Sequence, residues 1–169
     1  MARVEERLAA LGLTLPPAPQ APAGMRFAFE FVRVVGDRAL ISGHGPQAPD
    51  GSFAFPRGKV GRDLTVEEGY EAARLTALSI LGSLQRSLGD LDRIVAWVRV
   101  FGMVNSAPGF DQQPTVINGF SDLILQVFGD AVGGHARSAV GMAELPIGMP
   151  VEIEGEVLIR PAGAGDVGP

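Results

Sequence analysis

The stretch Gly133-Gly134-His135-Ala136-Arg137-Ser138-Ala139-Val140-Gly141-Met142 leads through Glu144-Leu145-Pro146 to Val151-Glu152-Ile153-Glu154-Gly155-Glu156-Val157. Its reading decides the fold. The first half passes from small residues into an apolar run and reads as a strand from about Ser138 to Glu144. In the second half, Val151, Ile153 and Val157 alternate with Glu152, Glu154 and Glu156. Successive side chains of a strand leave opposite faces, so 151–160 is a strand with one face for a core and three carboxylates on the other.

Outward from this pair, Thr65 and Glu68 form a T-x-x-E capping box. Val66, Tyr70, Ala73, Ala77, Leu81, Leu84 and Leu88 then mark one helical stripe, and Gly89 sits where a C-terminal cap belongs. A second helix begins near Pro114, with the stripe Val116, Ile117, Phe120, Leu123, Ile124, Val127 and Phe128, and closes at Gly129. Ile94–Val104 reads as a strand buried on both faces. Phe27–Val35 and Arg38–Ser42 read as a hairpin turning at Gly36-Asp37, and 43–63 as a loop rich in Gly and Pro. The order β-β-α-β-α-β-β implies an α+β fold. Two singly striped helices can cover one face of such a sheet, so the other face is expected to meet further subunits. Residues 1–24 read as a short helix and a Pro-rich arm, 25–160 as the domain proper, and 161–169 as a flexible tail.

The chain has 169 residues, 46% hydrophobic and 20% charged, which suits one globular domain. A net charge of −5 and no Lys/Arg cluster argue against nucleic acid as a partner. With no cysteine there is neither a disulfide nor a thiolate nucleophile. No apolar run is long enough to cross a membrane and no signal-peptide pattern opens the chain, so the cytoplasm is the expected compartment.

No Walker loop, G-x-G-x-x-G, H-E-x-x-H or G-x-S-x-G signature occurs. His44 and His135 lack metal-ligand spacing, so neither a metal nor another cofactor is expected. What remains is Arg137, among small residues at the lip of a strand. It is either a surface cation paired with one of the 19 acidic residues or a clamp holding a carboxylate through two parallel hydrogen bonds.

Gly134-His135-Ala136-Arg137-Ser138-Ala139-Val140, Glu144-Leu145-Pro146 and Val151-Glu152-Ile153-Glu154 together resemble the C-terminal signature of the RidA (YjgF/YER057c/UK114) family, formerly called the endoribonuclease L-PSP family. Ser42-Gly43-His44-Gly45-Pro46 resembles that family's Ser-Gly-x-x-Pro turn, and the likeness runs from about Ala21 to Arg160. It implies a chorismate-mutase-like fold, a mixed sheet with two helices on one face, and a homotrimer with clefts between subunits. The implied activity is hydrolysis of reactive 2-imino and enamine acids to 2-keto acids and ammonia, as in 2-iminobutanoate/2-iminopropanoate deaminases. By resemblance Arg137 holds the substrate carboxylate and Glu152 activates the attacking water. Asn118 and Gly43 contact the ligand, and Phe29 and Ala139 form an apolar wall.

Phe29 stands where many deaminating members have tyrosine, and Ala139 where many have cysteine. The segment Phe101–Gln113 is also longer than usual. These departures keep a second reading open, a non-catalytic trimer binding a carboxylate metabolite or a protein. A ribonuclease reading suits neither the acidic balance nor the two histidines. Because the 145–150 loop reverses the chain, Arg137 and Glu152 are expected roughly 15–20 Å apart in one subunit. Serving one site, they would come from different chains.

Overall fold

The computed structural model describes residues 3–21, 23–54 and 56–161, so most of the expected tail lies outside the described residues. Its elements are α1 (Arg3–Ala10), β1 (Val32–Val35), β2 (Arg38–His44), α2 (Val66–Leu88), β3 (Ile94–Asn105), α3 (Gln113–Phe128), the single turn α4 (Asp130–Gly133), β4 (Ala136–Met142) and β5 (Val151–Ile159). The expected order holds, with α1 in the segment read as a short helix and the single turn α4 added after α3. One five-stranded sheet runs β1-β2-β5-β3-β4. Its pairs are antiparallel except β3–β4, where α3 provides the crossover that a parallel pair requires. The fold is thus α+β, a mixed sheet with α2 and α3 packed on one face.

The apolar stripes explain the packing. Ala73, Ala77, Leu81 and Leu84 of α2 and Val116, Ile117, Phe120 and Ile124 of α3 have no exposure, and neither do Val151, Ile153 and Val157 of β5. Thr65 and Glu68 make the reciprocal capping box, and Gly89 ends α2 with φ +80°. The two helices close to backbone contact at Gly119, where a Cβ would overlap the Tyr70 carbonyl.

Three expectations are corrected. The first strand starts at Val32, because Phe27, Phe29 and Phe31 leave the sheet and pack edge-on against one another, with ring centroids 4.9–5.6 Å apart. The hairpin turn itself is as expected, with Gly36 at φ +63° between the paired Val35 and Arg38. The penultimate strand, Ala136–Met142, lies two residues earlier than expected, so Arg137 is inside it. Finally, β3 is covered on one face only within the chain. Val100 and Val104 are buried, whereas Val95 and Val98 are 42% and 37% exposed because no element covers them.

The N-terminal segment packs on its own subunit. Val4 and Leu8 are buried, and the Asp92 carboxylate accepts from the Arg3 and Val4 N–H groups at 2.6 and 3.1 Å, where the helix dipole favours an anion. The Pro16 carbonyl accepts from Arg86 at 3.0 Å, which ties the proline-rich segment to α2.

Gly119→Ala is expected to lower the unfolding free energy by about 3 kcal/mol, because α3 must move off α2. Thr65→Ala, which removes only the cap, should cost about 1 kcal/mol. Urea denaturation of both variants checks the order, which an equal loss in the two would contradict.

Candidate functional site

Arg137 projects from β4 toward α3. Its guanidinium donates to Asn118 Oδ1 at 2.9 Å, Ser121 Oγ at 3.0 Å and the Pro114 carbonyl at 3.3 Å. All three acceptors are neutral, and among the described residues no carboxylate lies within ion-pair distance of it. Partial burial lowers its pKa, so its charge is incompletely solvated. This excludes the surface ion pair that the sequence left open. Asn118 and Ser121 lie one turn apart on α3 and so share a face. Sequence reading missed Ser121, although its i+3 spacing from Asn118 could have pointed to it.

Glu152 lies elsewhere. In the register, Arg137 pairs with Val100 and Glu152 with Met103, so the two sit on strands separated by β3 and staggered by three residues. Two strand spacings and three residues give about 14 Å between their Cα atoms. Arg137 shares the helix-covered face with Val100, whereas Glu152 alternates with the buried Val151 and Ile153 and takes the open face. One subunit therefore does not bring the two together.

Glu152 packs against Gly43, where β2 bulges out of register with β5 between Ile41 and His44. A Cβ at Gly43 would overlap the Glu152 carboxylate, so a side chain there would displace Glu152 from its present position. Desolvation, and secondarily the neighbouring Glu154, raise the Glu152 pKa above the ordinary carboxylate range.

Gly43, Glu152 and Phe29 line one cavity of about 260 Å³. Phe29 is 52% exposed and belongs to the Phe27–Phe29–Phe31 cluster. Ala139 does not join it. It lies on β4 opposite Gly102, two residues along from Arg137, and packs against the core. The predicted residues thus fall into two separate groups, Arg137 with Asn118 and Ala139, and Glu152 with Gly43 and Phe29. A broader hollow of about 880 Å³ has the open sheet face as its floor, with Leu40, Arg99, Phe101, Glu154 and Glu156 around it.

Both histidines are fully engaged. His44 Nδ1 lies 2.7 Å from the Ser42 carbonyl and Nε2 lies 2.9 Å from Ser83 Oγ, and burial lowers its pKa to about 4. His135 makes the same pair of bonds, to the Gly133 carbonyl and to Ser121 Oγ, at 2.7 and 2.9 Å. Among the described residues no three His, Asp or Glu side chains converge as metal ligands would, and no helix is long and apolar enough to cross a membrane.

Residues 5–151 match the family model described as "YjgF/chorismate_mutase-like, putative endoribonuclease". Protein TCP17 of Trypanosoma cruzi is 45% identical over 154 residues, which span 90% of this chain and 91% of that protein. A crystal structure of the Agrobacterium tumefaciens protein Atu1372, described as of unknown function, superposes with a TM-score of 0.81 at 40% identity, covering 93% of this chain and 92% of that one. RidA from the Antarctic bacterium Psychrobacter sp. PAMC 21119 shares the fold at a TM-score of 0.52 and 23% identity, covering 84% and 94% of the two chains. On the family match and the relatedness to TCP17, the chain belongs to the YjgF/RidA family.

Proposed function

We propose that the protein hydrolyses 2-imino and enamine acids to 2-keto acids and ammonia, at clefts between the subunits of a homotrimer. The observation that carries this reading is the Arg137 guanidinium, aligned by three neutral acceptors, with no carboxylate within ion-pair distance among the described residues and Asp122 acting on it only from farther off. A charge held that way is built to receive an anion. The face change between Arg137 and Glu152 supports an intersubunit cleft, because a neighbouring copy can supply the half-site that one chain lacks.

In this reading Arg137 binds the carboxylate and thereby fixes the position of C2. Glu152 of the adjoining subunit accepts a proton from water as the water oxygen bonds to C2 and the iminium π electrons move to nitrogen. The resulting carbinolamine gains a proton on nitrogen, loses one from its hydroxyl, and breaks the C–N bond to leave the 2-keto acid and ammonia. An enamine first takes a proton at C3 to become the iminium. Imine hydrolysis is already quick in water, so orientation and one general base suffice.

Phe29 favours a second reading, a carboxylate-binding trimer without turnover, since its ring offers no hydroxyl to orient a substrate. An endoribonuclease role is less well supported. The net charge is −5, and both ring nitrogens of His44 and of His135 are already hydrogen-bonded.

With imino acids generated by an amino acid oxidase, the native protein should speed release of the 2-keto acid. Arg137→Ala should lose about 3 kcal/mol of transition-state stabilisation, roughly 100-fold in kcat/KM. Equal rates with native protein and variant would rule out the clamp. No acceleration by either, with carboxylate binding lost only in the variant, would establish the second reading.

Glu152 acts as a base only when ionised, so activity should fall as pH drops through its raised pKa, at a higher pH than for an ordinary carboxylate. Glu152→Gln should remove most activity. The sign for stability is opposite: a carboxyl whose folded pKa is raised stabilises the fold when protonated and loses that contribution as pH rises through the folded value. At neutral pH Glu152→Gln should therefore melt at a higher temperature than the native protein, with the gap closing in acid. A lower melting temperature for the variant at neutral pH would show that the native carboxylate is stabilised by its surroundings.

A further inference from the structure

The cavity beside Glu152 is larger than a small imino acid requires. At about 260 Å³ it exceeds the roughly 150 Å³ of apolar cavity that holds a benzene ring. One wall is the Phe27, Phe29 and Phe31 cluster, with Phe53 and Met149 among the other lining residues. Polar groups also reach it, but Gln47, Ser79 and His44 already have hydrogen-bond partners. Gln47 donates to the Gly51 carbonyl at 2.9 Å and accepts from Ser79, and His44 has both ring nitrogens bonded. Arg26 is an exposed cation in the lining. Beyond it, Glu152 is the lining's one carboxylate.

A group entering this space meets ring edges, a thioether and a polar floor with little hydrogen-bonding capacity to spare. A hydroxylated or charged side chain would find replacement partners only at the exposed Arg26 and at Glu152, which this reading commits to the attacking water. A methyl or ethyl group would leave most of the volume unfilled, whereas an aromatic ring would fill it and gain edge-to-face contacts.

We infer that this cavity is the side-chain pocket of the substrate, and that it selects 2-imino acids bearing an aromatic side chain over those bearing methyl or ethyl. The inference rests on the deaminase reading for its chemistry, but the pocket can also be tested by binding alone. The phenylalanine-derived imino acid should be turned over with a kcat/KM at least tenfold that of the alanine-derived one. Its 2-keto product, phenylpyruvate, should bind the native protein at least tenfold more tightly than pyruvate in calorimetry. Phe27→Ala should reduce both ratios several-fold.

Turnover of the alanine-derived imino acid at an equal or higher kcat/KM, with no tighter binding of phenylpyruvate, overturns the pocket while leaving the deaminase intact. No turnover of any imino acid, together with tight and Phe27-dependent binding of phenylpyruvate, removes the deaminase and keeps the pocket. No turnover and no difference between the two keto acids overturns both. The binding comparison uses the native protein, so it decides the matter even if Phe27→Ala does not fold.

Discussion

Two helices cannot cover both faces of a five-stranded sheet, and the consequences of that imbalance run through the molecule. The face under α2 and α3 has the ordinary character of a core, with Val100, Val104, Ile153 and Val157 fully buried. On the opposite face Leu40 and Val98 are about two-fifths exposed, and Glu152, Glu154 and Glu156 form a row along β5. An isolated monomer would keep this apolar area in water at a cost of roughly 25 cal/mol per Å². Carboxylates in the same row would resist burial against an entirely apolar partner. A mixed surface of this kind suits a neighbour that can pair some of the charges, as Arg38 already does for Glu156 within the chain.

The same division explains why Arg137 and Glu152 lie apart in one subunit. Arg137 needs the helix side because its acceptors, Asn118, Ser121 and the Pro114 carbonyl, are all on α3. Glu152 takes the open side because it alternates with the buried Val151 and Ile153, and there it packs against the bulge at Gly43. Each environment shifts the pKa of its group. Incomplete solvation makes Arg137 a better receiver of an anion, and desolvation makes Glu152 a stronger base than an exposed carboxylate.

Much of this was legible in the sequence because the signals were periodic. The α3 stripe from Val116 to Phe128 is buried in full, and the capping box at Thr65 forms as read. Alternation along 151–157 correctly assigned the two faces of β5. What the sequence did not disclose depends on contacts between distant segments. Phe27 to Phe31 alternates like a strand, yet its rings pack on one another and on His44, 5.0 Å from Phe31, and the segment does not extend β1. Ser79 and Ser83 interrupt the polarity expected of a buried helix face. They are explained only by Gln47 and His44, more than thirty residues away. The face on which Arg137 sits was likewise open until the parallel pairing of β4 with Val100 was known.

One local device occurs twice, and its two copies differ in what else the arginine holds. At each histidine the Nδ1 proton goes to the carbonyl two residues earlier, since a carbonyl can only accept. Nε2 then accepts from a helix serine, whose oxygen lone pairs are left to face an arginine. His44, Ser83 and Arg86 form one chain, and His135, Ser121 and Arg137 form the other. Arg86 also donates to the Pro16 carbonyl and so fastens the N-terminal segment. Arg137 has its remaining contacts on the neutral Asn118 and Pro114 oxygens, which orient the guanidinium without neutralising it. An acidic residue in place of Asn118 would hold the arginine more firmly and leave it nothing to offer an incoming carboxylate, so the amide oxygen is what keeps the charge available.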